Sequence, residues 1–422
     1  MLSTIVSMQS NGSVLIRLKR FHPPTYFAAP TASDLEREKE VADFVEMNVP
    51  YWKKKGFMPD SRVGSGETAD KLANKRGWTY WSHLFNPRHL LVNSLICEQL
   101  KDSPGGSVLF LSLLSANSSL SYWDPGEGTP EGSFSSRLSN PPYTFCALSM
   151  ERAGEVLSQS PGHNEIENSV EIENQSAESI RYGADLWITD PARPDRPSSD
   201  EIYELFNAWM RTNPPPLFDS WYWHSHQKLA VGQSTDDDLL RMVGAYRRMA
   251  CNMPENGRHC VIFSCQDFGS WGPIIAPLWA AGLEVTKVWL MTNQRPDEGE
   301  SCLHSEGTAV VVLRKRAGSG STSMNRLIPK IRRNVGDEIQ SMIQLNNRLH
   351  ALRRVLFTDV DVRVAACAEA LKLLTSYAEV DGSSVGTKEL PTRLGDKIGV
   401  VEEVIMNASD TVDKVLSHSD SQ

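Results

Sequence analysis

Paired cysteines are what this sequence lacks first. Its seven cysteines, at 97, 146, 251, 260, 265, 302 and 367, form no C-x-x-C pair. An odd number without paired spacing argues against a disulfide scaffold and against a zinc ribbon, so no metal is expected. Long apolar runs are missing too: none approaches the roughly 18 residues of a membrane span. The opening MLSTIVSMQSNGSVLIRLKRF carries Asn and Ser where a secretory signal would be apolar, and has no leading basic cluster. No repeat or coiled-coil heptad stands out. These absences predict a soluble, reduced, cytoplasmic protein with no membrane partner. Positive charge is in deficit, 43 Lys+Arg against 52 Asp+Glu, for a formal charge of −9. That excludes an overall coat of nucleic-acid-binding cations but is compatible with a local basic face. The 422 residues are enough for two or three domains with a sizeable core.

Four stretches can be distinguished. Residues 1–154 read as irregular and mostly helical. Thr31 is placed to cap a helix through Asp34, with Leu35, Val41, Phe44 and Val45 near helical spacing. The basic connection KKKGFMPDSRVGSGET is too polar for core, RHLLVNSLICEQL has the length of a buried helix, and SVLFLSLLSA leans helical for want of β-branched residues. Residues 155–180 hold six acids and no Lys or Arg from Glu155 to Glu178, the composition of a solvated linker. Residues 181–318 look like an α/β core. ADLWITD (184–190) has the pattern of a buried parallel strand, followed by helix EIYELFNAWM and the helix in DDLLRMVGAYRRMACNM. Strand HCVIFSC, helix WGPIIAPLWAAG, and strands LEVTKVWLMT and TAVVVLRKR follow. That order is half of a doubly wound sheet with a closing pair, and such a half leaves an edge that something else should complete. Residues 319–422 are helical. From Arg314 to Arg354, ten bases stand against Asp337 and Glu338, which suits either a solvated helix face or a phosphate-contacting surface.

Four motifs bear on chemistry. Asp190-Pro191-Ala192-Arg193 ends the first strand, where amino-group methyltransferases place [DN]-P-P-[YF]. There the acid side chain and a Pro-constrained carbonyl accept hydrogen bonds from an exocyclic amine, and the aromatic stacks on an extruded base. An ordinary strand-ending turn is the plainer reading. Asn140-Pro141-Pro142-Tyr143 matches the motif literally, but polar GSFSSRLS precedes it instead of a buried strand. Asp267-Phe268-Gly269-Ser270-Trp271-Gly272 lies between strand and helix as a cofactor loop would, yet Ser270 replaces a glycine and Trp271 is bulky, so a plain helix start is the better fit. Trp221-Tyr222-Trp223-His224-Ser225-His226 reads as aromatic packing, since His-x-His lacks a third ligand nearby.

Taken together, several blocks resemble adenine-specific DNA methylases that carry an inserted zinc ribbon. GWTYWSHLFNPRHL (77–90, followed by Leu91) resembles that family's Tyr/Trp-rich stretch and L-F-[NT]-P-R-[QH]-L-L. APTASDLEREKEVADF (29–44) is similar to the segment after the zinc ribbon, and NSSLSYWDPG (117–126) to the N-S-R-L-x-x-W block. ADLWITDP resembles the D-L-V-x-T-D-P-P-Y strand, EIYELFNAWM the helix after it, and the run from GAYRRMACNM to KVWLM the closing methyltransferase core. CAEALKLLTSYAEV (367–380) resembles the C-terminal helical block, so the likeness spans about 28–380 in shared order.

The resemblance implies a Rossmann-like methyltransferase half-sheet flanked by helical N- and C-terminal regions. It implies S-adenosyl-L-methionine as cofactor, DNA as substrate, Asp190 and Pro191 as catalytic, and Ala192 and Arg193 at the target base. The departures are specific. The family's cofactor loop and ribose-binding acid lie before the zinc ribbon and have no counterpart in this sequence, so no cofactor-binding residue is assigned and a second chain would have to supply the loop. Ala192 removes the second proline, and Arg193 replaces the aromatic with a guanidinium that can also stack. The expectation is thus the C-terminal portion or subunit of an adenine-N6 DNA methyltransferase. The alternative is a non-catalytic DNA-binding or regulatory subunit, or a degenerate remnant, using the 314–354 stretch and the 78–83 loop. An arrangement pairing 140–143 with 267–272 ranks last because of its glycine positions.

Overall fold

A computed structural model describes residues 3–9, 13–20, 25–28, 31–65, 67–102, 106–118, 122–124, 129–131, 171–173, 175–191, 200–215, 218–219, 221, 223, 236–265, 271–292, 307–350, 357–381 and 390–419. The protein is mixed α/β and divides into two units, residues 1–174 with 197–230, and residues 175–196 with 231–422. Among the described residues, no helix is long and apolar enough to cross a membrane.

The first unit opens differently from the helical expectation. Strands β1 (Ser3–Gln9), β2 (Ser13–Arg20) and β3 (Thr25–Ala28) form an antiparallel meander. Helix α1 (Ala32–Lys55) then starts on a capping box. The Thr31 side chain accepts from the Asp34 N–H, and the Asp34 carboxylate accepts from the Thr31 N–H at 2.8 Å. Gly56 ends α1 at φ +76°, and the reversal brings the Phe57 N–H to the Trp52 carbonyl at 2.8 Å. Phe57 and Met58 are therefore buried, although the basic run around them looked too polar for core. A Cβ on Gly56 would lie 2.4 Å from the Thr212 Cβ. Gly56→Ala combines that clash with a left-handed backbone. It should cost the first unit about 3 kcal/mol in urea denaturation; a change under about 1 kcal/mol would show that this turn is not held as described.

Helices α2 (Glu67–Arg76), α3 (Pro87–Leu100) and α4 (Gly106–Ala116) follow. The Asn86 side chain caps α3 by accepting from the His89 N–H, and Pro87 sits at the first helical position, where no N–H is needed. Strands β4 (Tyr122–Asp124) and β5 (Thr129–Glu131) pair antiparallel, and α5 (Asp200–Met210) completes the unit. Helix α5 was expected within the 181–318 core. Instead, Leu205, Trp209 and Met210 join Trp52, Trp81, Leu84 and Phe110. Trp209 sets edge-on against Phe85 and Phe110, at 5.4 and 5.3 Å between ring centroids, and those contacts fix the allegiance of α5.

The second unit is built on a four-stranded mixed sheet. Its strands are β6 (Leu186–Thr189), β7 (Arg258–Cys265), β8 (Leu283–Thr292) and β9 (Gly307–Lys315), in the order β6-β7-β9-β8. β6 and β7 are parallel, and β9 runs antiparallel to both its neighbours, so β6, β7 and β8 share one direction. Helices α6 (Asp236–Cys251) and α7 (Gly272–Ala280) connect the strands. A two-residue pair, β10 (Ser321–Thr322) with β11 (Glu379–Val380), lies among α8 (Met324–His350), α9 (Asp359–Thr375) and α10 (Leu390–Ser419).

One face of the sheet, with Trp187, Val261, Phe263, Ala309, Val311 and Leu313, is buried under the helices. The bulge between Val285 and Lys287 lets Val285 and Val288 both turn into it, three residues apart. The opposite face is open. Leu186, Ile188, Trp289 and Met291 are 51%, 62%, 54% and 55% exposed, with Cys260, Ile262, Val310 and Val312 half-buried between them. This corrects the reading of ADLWITD as a buried strand: Trp187 and Thr189 turn inward, while Leu186 and Ile188 face out. The two edges differ as well. At β8 the Val285 N–H donates to the Thr375 Oγ1 at the end of α9, at 2.8 Å and buried, which closes that edge locally. At β6, no described strand pairs with the outer side.

The supposed solvated linker also differs in its last residues. Residues 155–170 lie outside the described ones. Residues 175–180 dock on α6 through a buried Ile180, a Glu178–Arg241 ion pair at 3.3 Å, and a bond from the Asn252 side chain to the Ile180 carbonyl. Opposite charge and one apolar anchor overcome the acidic composition there.

Candidate functional site

Asp190 and Pro191 follow β6 directly, at the end of the sheet where β6, β7 and β8 have their carboxyl ends. In open α/β sheets, ligands collect at that end. Asp190 is exposed and Pro191 half-buried; Ala192 and Arg193 lie outside the described residues.

Behind Asp190 is a polar group that no sequence motif marks. Thr189 Oγ1 lies 3.0 Å from His259 Nε2, and Tyr246 on α6 shares a hydrogen bond with Thr189. The Tyr246 and His259 rings meet edge-on at 5.4 Å. His259 is 1% and Tyr246 4% exposed. Burial pulls the His259 pKa down to about 4, so the ring is neutral near pH 7. Burial raises the Tyr246 phenol well above its ordinary range; the Thr189 bond opposes this and the Asp190 charge adds to it. The strand end is thus held from two elements, while its next residue presents a carboxylate to solvent. His259 had one signal in the sequence, a lone imidazole at the start of the apolar run HCVIFSC. Tyr246 looked like any aromatic on an amphipathic helix.

The other sequence candidates separate from this site. Asn140-Pro141-Pro142-Tyr143 and the 266–270 part of the glycine loop lie outside the described residues. Trp271 is fully buried, 5.2 Å from the Phe263 ring and edge-on to it, and a Cβ on Gly272 would meet Glu402 and Ile398 at 3.0 Å. The described part of the loop, its packed helix start, offers no cradle for a cofactor. Trp221 and Trp223 stack at 6.0 Å, and Trp223 packs against the first unit's core, as aromatic packing predicts; His224 and His226 are not described. No group of three metal-ligating side chains occurs among the described residues.

Several described bases of the 314–354 stretch are engaged within the fold; Arg353 and Arg354 lie outside the described residues. Lys315 pairs with Glu255, Arg316 donates to the Trp279 carbonyl, and Arg332 donates to the Asn407 side chain. Leu327, Ile331, Val335 and Ile339 turn one stripe of α8 inward, leaving Arg326, Lys330 and Arg333 exposed.

No family model, curated protein or solved structure matches the chain.

Proposed function

We infer that this chain works as the C-terminal portion or subunit of an S-adenosyl-L-methionine-dependent adenine-N6 DNA methyltransferase, and is incomplete alone. The observation that carries this reading is the position of Asp190-Pro191, at the carboxyl end of the strand standing on the open edge of a β6-β7-β9-β8 sheet. Such an order, with one reversed strand between the last two parallel ones, suits the closing half of a Rossmann-like methyltransferase sheet. The open β6 edge and the exposed apolar face beside it suit the addition of further parallel strands and their helices from a second chain.

The described residues do not fit the cofactor, so the partner would bring the Gly-rich loop. This chain would bring the acceptor site. The Asp190 carboxylate and the Pro191 carbonyl would each accept a hydrogen bond from the exocyclic amine and so fix the position of its nitrogen. Thr189, His259 and Tyr246 would keep the strand end in place. Arg193 would stack its guanidinium on the extruded base.

The test is methyl transfer to duplex DNA by this chain together with a chain carrying the Gly-rich loop and zinc ribbon. Asp190→Ala should abolish transfer by the pair, a loss of at least 10³-fold by analogy with other positioned catalytic groups. Wild-type rate in that variant would end the assignment. Clear cofactor binding by the isolated chain would point instead to the 267–272 loop. The second reading, a non-catalytic DNA-binding subunit or degenerate remnant, is favoured by the missing second proline and aromatic at 192 and 193, and predicts DNA binding without turnover in any combination.

A further inference from the structure

In the first unit, the fold gathers cations from separate segments around the ring of Tyr80. Arg62 lies opposite Tyr80 in an antiparallel bridge, donates from Nε to the Tyr80 hydroxyl at 3.3 Å, and holds its guanidinium carbon 5.3 Å from the ring centroid. Lys53, from the last turn of α1, places Nζ 5.9 Å from the same centroid. Lys54 and Lys55 continue that turn, exposed. The His83 ring adds a further edge at 5.3 Å.

Lysines at a helix C-terminus complement the helix dipole and need no ligand. Two observations go further. Arg62 comes from outside the helix and is placed over the same ring. In addition, none of Lys53, Lys54, Lys55 and Arg62 has an ion-pair partner among the described residues, in a chain of net charge −9. Residues 51–83 hold seven Lys/Arg against three Asp/Glu, of which Asp60 and Asp70 are exposed. Rings that hold cations over their faces fix those charges in position and leave the faces unavailable to nucleobases. Trp78 and Trp81, the other aromatics of this loop, are buried, with Arg76 over Trp78. Tyr51, one turn before Lys55, is half exposed, but its hydroxyl is held by Glu98 and its ring stands against Phe57. The surface therefore presents mainly fixed charge, which suits phosphate better than bases.

We propose that Lys53, Lys54, Lys55 and Arg62, arrayed about Tyr80, contact the phosphate backbone of duplex DNA without reading its sequence. The proposal rests on the inference that DNA is this protein's substrate, but it requires no methylation. Duplex is favoured over single strands because its phosphates are more closely spaced and bases need not stack.

The test uses the full chain and a fluorescein-labelled duplex of arbitrary sequence, about 20 base pairs, followed by anisotropy between about 50 and 200 mM KCl. Lys54→Gln/Lys55→Gln/Arg62→Gln should weaken binding at least tenfold and flatten the log K against log salt slope by about 2 to 3, near 0.9 per lost phosphate contact. Its melting temperature should match the wild type, since all three side chains are exposed. Lys54→Arg/Lys55→Arg should retain both affinity and slope. Arg326→Gln/Lys330→Gln/Arg333→Gln, on α8, should leave both unchanged. The proposal is overturned by an unchanged slope in the first variant, by no duplex binding at about 50 mM KCl, or by tighter binding to a dT20 strand or to anionic phosphatidylserine vesicles than to duplex. If binding behaves as expected but no pair transfers methyl groups, only the enzymatic reading falls. If a pair methylates while the first variant binds and titrates like wild type, only the surface falls.

Discussion

Lowering the pH from 7.5 to 4.5 should destabilise each unit by about 2.5 kcal/mol through one buried neutral histidine apiece. In the first unit His89 is 1% exposed, and burial, helped by the Arg88 charge, draws its pKa down to about 3. In the second, burial draws His259 down to about 4. Unfolded, both titrate near 6.5. Above that value both states are neutral and these groups add no pH dependence. Below it the unfolded chain takes up a proton that the folded ring refuses. Each pH unit then removes about 1.4 kcal/mol, until the folded pKa is reached. Native-state hydrogen exchange at several pH values reads the two units separately. His89→Leu gives the sharper result, because His89 Nδ1 has no hydrogen-bond partner to lose. It should flatten the first unit's profile between pH 6.5 and 4.5 and leave the second unit's unchanged. An unaltered slope in that variant would falsify the neutral buried state of His89.

Replacing Lys397 with methionine should raise the second unit's stability by about 1 kcal/mol at pH 7. Lys397 is 1% exposed, and its Nζ, without a hydrogen-bond partner, sits 3.4 Å from the centroid of the Trp279 ring. Burial first and the Arg316 charge second lower its pKa to about 8, against a smaller opposing pull from Glu379. Keeping the folded lysine charged therefore costs about 3 kcal/mol relative to the unfolded chain. Methionine retains the unbranched shape and its own sulfur–aromatic contact, and gives up about 2 kcal/mol of desolvated cation–π attraction. The pH signature has a definite sign. Since the folded pKa lies below the unfolded one, the wild type should gain stability as pH rises from about 8 to about 10.5, where the folded lysine has already lost its proton. Lys397→Met should abolish that gain. Urea denaturation at pH 7 and pH 10 tests both points; a less stable variant that still gains above pH 8 would sink the account.

Both lysine and histidine effects come from burial that the sequence does not display, and the same limit marks the fold. Strands β7, β8 and β9 and helices α3, α4, α6 and α7 were readable because apolar runs of their lengths have few other solutions. The capping box at Thr31 was equally local. The outward turn of Leu186 and Ile188 was not readable, since a short apolar run looks the same whether one face or two are covered. Nor was the departure of α5 to the first unit, which depends on the rings of Phe85 and Phe110 roughly a hundred residues earlier. Asp190 could be singled out by its Pro neighbour and strand-end position. Its support could not, because Tyr246 and His259 reach Thr189 across gaps of 57 and 70 residues. Charge counting failed in a similar way. Of the bases in 314–354, Lys315, Arg316 and Arg332 are held by separate partners within the fold, while the cations about Tyr80 are scattered through a less conspicuous stretch.

The path of the chain between β6 and β7 bears on the order of folding. Thr189 pairs with Val261 in the sheet, and between them the chain leaves the second unit to contribute α5 to the first. Strands β8 and β9 can zip through a short, local closure and β9 meets β7 across some forty to fifty residues, but β6 must wait for an excursion of some seventy residues to settle. Loop closure over that distance is slow relative to hairpin pairing. β6 should therefore be the last strand to join, and Asp190 the last part of the site to be placed. In refolding, protection of the β6 amides should lag behind that of β9, and a growing chain should complete this corner only after β7 has emerged.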